Sequence, residues 1–136
     1  MITVETMPAG LAAFAQGIAA ECLAEVCGVT AVVIATVDGF DIASAFRGEQ
    51  DAARIAAMAS SISAISSVVA MEAGLGTFKS VTIGTDSGFA VVQAVPRLDV
   101  ELVIHVIANG DAILAQAMHR IGLMARALAK VGDAGL

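Results

Sequence analysis

The chain has 136 residues, 58% of them apolar, and a formal net charge of −6. That length suits one domain. The acidic balance argues against nucleic acid, which needs a basic patch, and against anionic membrane surfaces.

Residues 1–7 read as an N-terminal tail, 8–132 as a single domain and 133–136 as a C-terminal tail. No charged, apolar and small-residue succession of a secretory signal opens the chain, and a cytoplasmic location is expected. Thr6 is placed to cap a first helix and Pro8 to sit in its first turn. Leu11, Phe14, Ala15, Ile18, Cys22, Leu23 and Val26 make its apolar stripe, and Gly28 closes it as a left-handed cap. Cys22 and Cys27 are the only cysteines. Five positions apart, they point to different faces, so two reduced thiols are expected rather than a disulfide or a zinc site.

From Val29 the period changes. VTAVVIATV is β-branched and almost continuously apolar, as a strand covered on both faces should be. Asp38-Gly39 is a strong hairpin signal. The next strand alternates, with Phe40, Ile42, Ser44 and Phe46 on one face and Asp41, Ala43 and Ala45 on the other. Asp41 and Arg47 at its ends would blunt it as a sheet edge.

A long helix starts near Gln50 or Asp51 and stops at Gly74. Between Arg54 and Glu72 it carries no charge: IAAMASSISAISSVVAM, Ile55 to Met71. Ile55, Met58, Ile62, Ile65 and Val69 recur at helical spacing and are expected to face the sheet. The opposite face holds Ala53, Ala56, Ala57, Ser60, Ser61, Ala64 and Ser67, where a lone domain should be charged. As a membrane span the run would be about 26 Å long, short of a core of roughly 30 Å, and it contains five Ser. A helix covered on two sides, by its own sheet and by a second chain, explains it better, so no membrane insertion is expected.

Two strands follow, KSVTIGT and GFAVVQAV, joined around Asp86-Ser87-Gly88. Pro96-Arg97-Leu98-Asp99 makes a turn, and VELVIHVIA is the last strand. Asn109-Gly110-Asp111 is expected to cap the final helix. That helix would bury Leu114, Ala117, Met118, Ile121, Met124, Ala125 and Leu128 and end at Gly132. The result is an α+β domain, α-β-β-α-β-β-β-α, with five antiparallel strands and helices on both faces.

No catalytic set emerges. GxxxxGK[ST], GxSxG and HExxH are missing, and Gly74-Leu75-Gly76 lacks a dinucleotide context. His105 is the most tempting single residue. Glu101 lies roughly 13 Å along the same strand face, too far to pair, so His105 reads as a histidine satisfied by a neighbouring polar group. No catalytic, cofactor-binding or metal-binding residues, and no cofactor, are assigned.

The element order resembles the roadblock family of small profilin-like domains, which includes dynein light chains and bacterial gliding regulators. Three places carry the resemblance: GVTAVVIATVDGFDIAS (Gly28–Ser44), the uncharged Ala/Ser helix, and LDVELVIHVIAN with its following helix, which contains Gly122. The resemblance implies sheet order 2-1-5-4-3, with the long helix on one face and the terminal helices on the other. It also implies a homodimer, or a heterodimer with a roadblock paralogue, built on the long helix and third strand. Ala53, Ala57, Ser60, Ser61, Ala64, Ser67, Ser80 and Thr82 are the expected interface. The implied function is non-enzymatic: a scaffold or regulator that binds a Ras-like small GTPase, with Arg47 and Arg54 as candidate contacts. The alternative is a small-molecule sensor of PAS, GAF or profilin type, or a structural adaptor.

Overall fold

A computed structural model describes residues 7–131. The elements are α1 (Leu11–Glu25), β1 (Val29–Thr36), β2 (Asp41–Phe46), α2 (Ala52–Glu72), β3 (Ser80–Thr85), β4 (Gly88–Val95), β5 (Leu102–Asn109) and α3 (Leu114–Lys130). The strands form one antiparallel sheet in the order β2-β1-β5-β4-β3. Element order and sheet order are those expected. Thr6, Gly132 and the 133–136 tail lie outside the described residues.

The two faces of the sheet divide the core. On one, Val32, Ile34, Leu102, Ile104 and Val106 pack under α1 and α3. On the other, Val33, Ala35, Val92 and Val103 pack under α2. Strands β1 and β5 are covered on both faces, which is why their sequences lack the polar alternation of a one-sided sheet. Arg120 Nη2 to Glu25 Oε1, 2.6 Å, ties α3 to α1.

The ends of the elements differ in places from expectation. Gly10, with φ 81°, precedes α1, so the helix begins at Leu11 and Pro8 lies before it. Its buried line is Leu11, Ala15, Ala19 and Cys22, while Phe14 is exposed. Gly28 is left-handed but lies two residues beyond the cap residue Val26. In β2 the register shifts, with Ile34 opposite Ala43 and Ala35 opposite Asp41. Ile42 is therefore an extra residue, a bulge. It packs with Ala43 and Ala45 under α1 and α3, whereas Phe46 lies on the α2 side. The β3–β4 turn is two residues long, Asp86-Ser87, because Thr85 pairs with Gly88. Asn109 Oδ1 accepts from the Asp111 amide and forms a local turn; α3 starts later, after Ile113, and Leu114 is exposed.

The α3 helix is held by a residue whose role the sequence did not disclose. The Arg97 side chain is only 2% exposed. Its Nη1 donates to the carbonyls of Leu128 and Val131, both at 2.6 Å, satisfying the helix C-terminus. Its Nε and Nη2 meet Asp99 Oδ1 and Oδ2 at 2.9 and 2.7 Å. These bonds hold the Asp99 carboxyl below its ordinary range.

Candidate interaction surface

The long helix owes its limits to its ends. Asp51 Oδ1 accepts from the Arg54 amide at the start. At the other end the Leu75 amide donates to Ala70 and the Gly74 amide to Met71, with Gly74 at φ 69°. This is a Schellman closure, and its left-handed residue is one that glycine adopts without strain.

The orientation of α2 corrects the sequence reading. Ile55, Ala56, Ala59 and Ser63 are the residues buried against the sheet. Of the expected core line, Met58, Ile65 and Val69 are exposed and Ile62 is half-buried. The physical reason is steric. Val33, Val92, Val103 and His105 already fill this face of the sheet, and small side chains let the helix lie close to them. The bulky residues are left outside: Ile65 is 65% exposed, Val68 and Val69 each 59%, and Met71 75%. The outer surface is therefore more apolar than an Ala/Ser face would have been.

Of the residues expected at the interface, Ala53, Ala57, Ser61 and Ala64 on α2, and Ser80 and Thr82 on β3, are exposed. Ser60 and Ser67 are half-buried. The Ser60 hydroxyl donates to the Val37 carbonyl at 2.6 Å, which ties α2 to the β1–β2 hairpin. Met58, Ile65, Val68 and Met71 join this surface although the sequence pattern does not assign them to it, since a helix with small residues on one side and large ones on the other can bury either.

The two candidate arginines also separate. Arg47 donates from Nε to the Val29 carbonyl at 3.0 Å and from Nη2 to the Leu23 carbonyl at 2.7 Å. Its guanidinium is thereby committed to the body of the domain, in contrast to the partner-facing role considered for it. Arg54 is exposed, and its side chain has no hydrogen-bond partner among the described residues.

The sheet edges are unlike each other. At β2, Gln16 of α1 donates to the Ser44 carbonyl at 2.7 Å and accepts from the Ser44 amide at 3.0 Å. That side-chain amide occupies the place a neighbouring strand would take. At β3 no side chain among the described residues engages the outward backbone. The strand is uncharged, and Ile83 is exposed. One edge is closed by the chain itself; the other is open and adjoins the apolar surface of α2 across a groove lined by Ile65, Val69, Leu75 and Val81.

His105 lies beneath α2, buried, with Nδ1 3.4 Å from the Ile55 carbonyl. Burial pushes its pKa below the ordinary histidine value, an effect the Ile55 carbonyl partly offsets. It is a neutral core residue, as expected. Cys22 is buried and its thiol is pushed up to about 11 by desolvation, while Cys27 is exposed; both are free.

Residues 17–97 match the family model described as the Roadblock/LC7 domain. No curated protein sequence matches the chain. Among solved structures it is similar to a Roadblock/LC7 domain from Streptomyces avermitilis, at 17% identity and a TM-score of 0.75, covering 83% of this chain and 92% of that one. It is similar to MglB of Myxococcus xanthus, at 15% identity and 0.80, covering 100% and 96%. It is also similar to an MglB solved in a tetrameric arrangement, at 16% identity and 0.81, covering 96% of each.

Proposed function

The chain belongs to the Roadblock/LC7 family, and on that footing we propose that it is a non-enzymatic, cytoplasmic, dimeric platform that binds and regulates a Ras-like small GTPase. One observation carries the reading: the outward face of α2 is apolar and runs into the unguarded edge of β3. An open, uncharged edge strand invites pairing. Two such surfaces related by a two-fold axis would close each other, because an isologous interface needs a self-complementary patch. Ala53, Ala57, Ser61, Ala64, Ser80 and Thr82 would lie in or beside that contact, with Met58, Ile65 and Val68 supplying most of its apolar area. One similar protein, an MglB, has a tetrameric arrangement, which supports proposing self-association for this chain.

The partner chain is a second copy or a roadblock paralogue. The GTPase would dock on the paired helices, where Arg54 is exposed and uncommitted. With no P-loop of its own, the chain would act by reshaping the partner's switch loops rather than by chemistry.

The test has two arms. Ala57→Arg and Val68→Arg should each split the dimer or weaken it strongly while leaving the circular dichroism spectrum intact, since both positions are exposed in the single chain. A dimer of undiminished stability in both variants contradicts the placement. In the second arm, the wild-type protein is used to capture small GTPases from native lysate loaded with a non-hydrolysable GTP analogue or with GDP. Nucleotide-dependent retention of one GTPase is expected. Failure to retain any GTPase in either state overturns the regulatory role while leaving the dimer untouched.

A further inference from the structure

A chain with one bare sheet edge closes on a single partner, whereas a chain with two bare edges can be extended from both without limit. Here the difference between those cases rests on one side chain. The Arg47 amide donates inward to the Thr30 carbonyl, and above the bulge β2 keeps a regular register, with Ala31 opposite Phe46 and Val33 opposite Ser44. In an antiparallel pair, residues that exchange bonds alternate with residues whose backbone groups turn away. Ser44 and Phe46 are therefore the residues that face outward. Gln16 takes both groups of Ser44, donating to its carbonyl at 2.7 Å and accepting from its amide at 3.0 Å. No other side chain among the described residues bonds the outer backbone of β2.

Behind that side chain, β2 suits a second copy of itself. An antiparallel self-pairing centred on Ser44 matches Ala43 with Ala45, Ile42 with Phe46 and Asp41 with Arg47. Small residues meet small ones, apolar meet apolar, and no like charges are opposed. The flank of α1 beside this edge does not oppose it either. By helical spacing the line through Gln16 is Ala12, Gln16, Ala20 and Leu23. None of these is charged, and the first three are exposed.

We infer that Gln16 limits self-association to a closed pair: its side-chain amide stands in for the backbone of an incoming strand at Ser44 and so denies β2 to a second copy. The inference deepens the platform reading and rests on it in one respect, since growth beyond two chains needs the α2–β3 flank to pair as well.

Gln16→Ala in the full-length protein is the test. The residue is exposed and Ala is the better helix former, so the circular dichroism spectrum should be unchanged. At low concentration the Ser44 amide should exchange with solvent about fivefold faster than in wild type, the scale of one hydrogen bond. As concentration rises, the mass by sedimentation should climb past two chains without a plateau and fall back on dilution. Adding Ser44→Pro, which deletes the outward amide on an edge strand that tolerates proline, should return the mass to that of wild type. Adding Val68→Arg instead should stop growth at two chains, joined through β2. A Gln16→Ala protein that keeps the wild-type dimer mass at every concentration overturns the inference and leaves the α2 pairing standing. So does an unchanged Ser44 exchange rate, or growth that survives Ser44→Pro or does not reverse. If wild type is a single chain and Gln16→Ala stops at two, the α2 pairing falls and the guard at β2 stands.

Discussion

Arg97 shows what a single residue does here. Its guanidinium joins the β4–β5 turn to the last carbonyls of α3. Arg97→Ala should cost about 3 kcal/mol, the low end for breaking a buried pair, because Asp99 remains partly wetted; chemical denaturation measures it. The linked carboxyl adds a pH dependence. Asp99 has a folded pKa below 3.8, so its contribution is full above that value and is lost as pH falls through the folded pKa. Asp99→Asn should flatten the acid limb of the stability curve. His105 acts in a higher window. Its folded pKa lies below 6.5, so just below pH 6.5 the unfolded chain holds more protons and stability falls. His105→Gln should remove that slope, measured as melting temperature against pH, and leave partner binding unchanged. A lost partner with an unchanged melting temperature would mean that His105 serves the surface rather than the core.

Among the elements, the helices divide between propensity and packing. Gly17 sits in the interior of α1 with nothing within 4 Å of where its Cβ would be, and its φ is not positive. Gly17→Ala should therefore stabilise the domain by about 0.5–1 kcal/mol, seen as a raised denaturation midpoint; a lowered midpoint would mean that the position is occupied by something outside the single chain. The strands were legible because β1 and β5 are nearly continuous apolar runs and Asp38-Gly39 marks its turn. The existence and ends of α2 were legible from Asp51 and Gly74. Its rotation was not. Counting apolar positions put Met58, Ile65 and Val69 inward, but close approach to a sheet already filled by Val33, Val92 and Val103 favours Ala56, Ala59 and Ser63. Sequence period identifies a two-sided helix; only the room left by the facing strands says which side turns in. The same limit hid Gln16 and Arg97, whose partners lie 28 and more than 30 residues away in the chain.

At the scale of the whole molecule, the domain is asymmetric by construction. One sheet edge is closed by Gln16, and the face under α1 and α3 holds the larger core. The opposite flank presents α2 and the bare strand β3. By length and composition α2 could cross a membrane, but its seat on the sheet leaves only one side in need of cover, and in the proposed dimer a matching flank on a second chain would supply it. Sedimentation equilibrium of the wild-type protein across the micromolar range tests this most directly. The account predicts a mass twice that of the single chain, falling to one in Val68→Arg. A wild-type protein that stayed a single chain at the highest concentration, soluble and with that helix open to water, would contradict it.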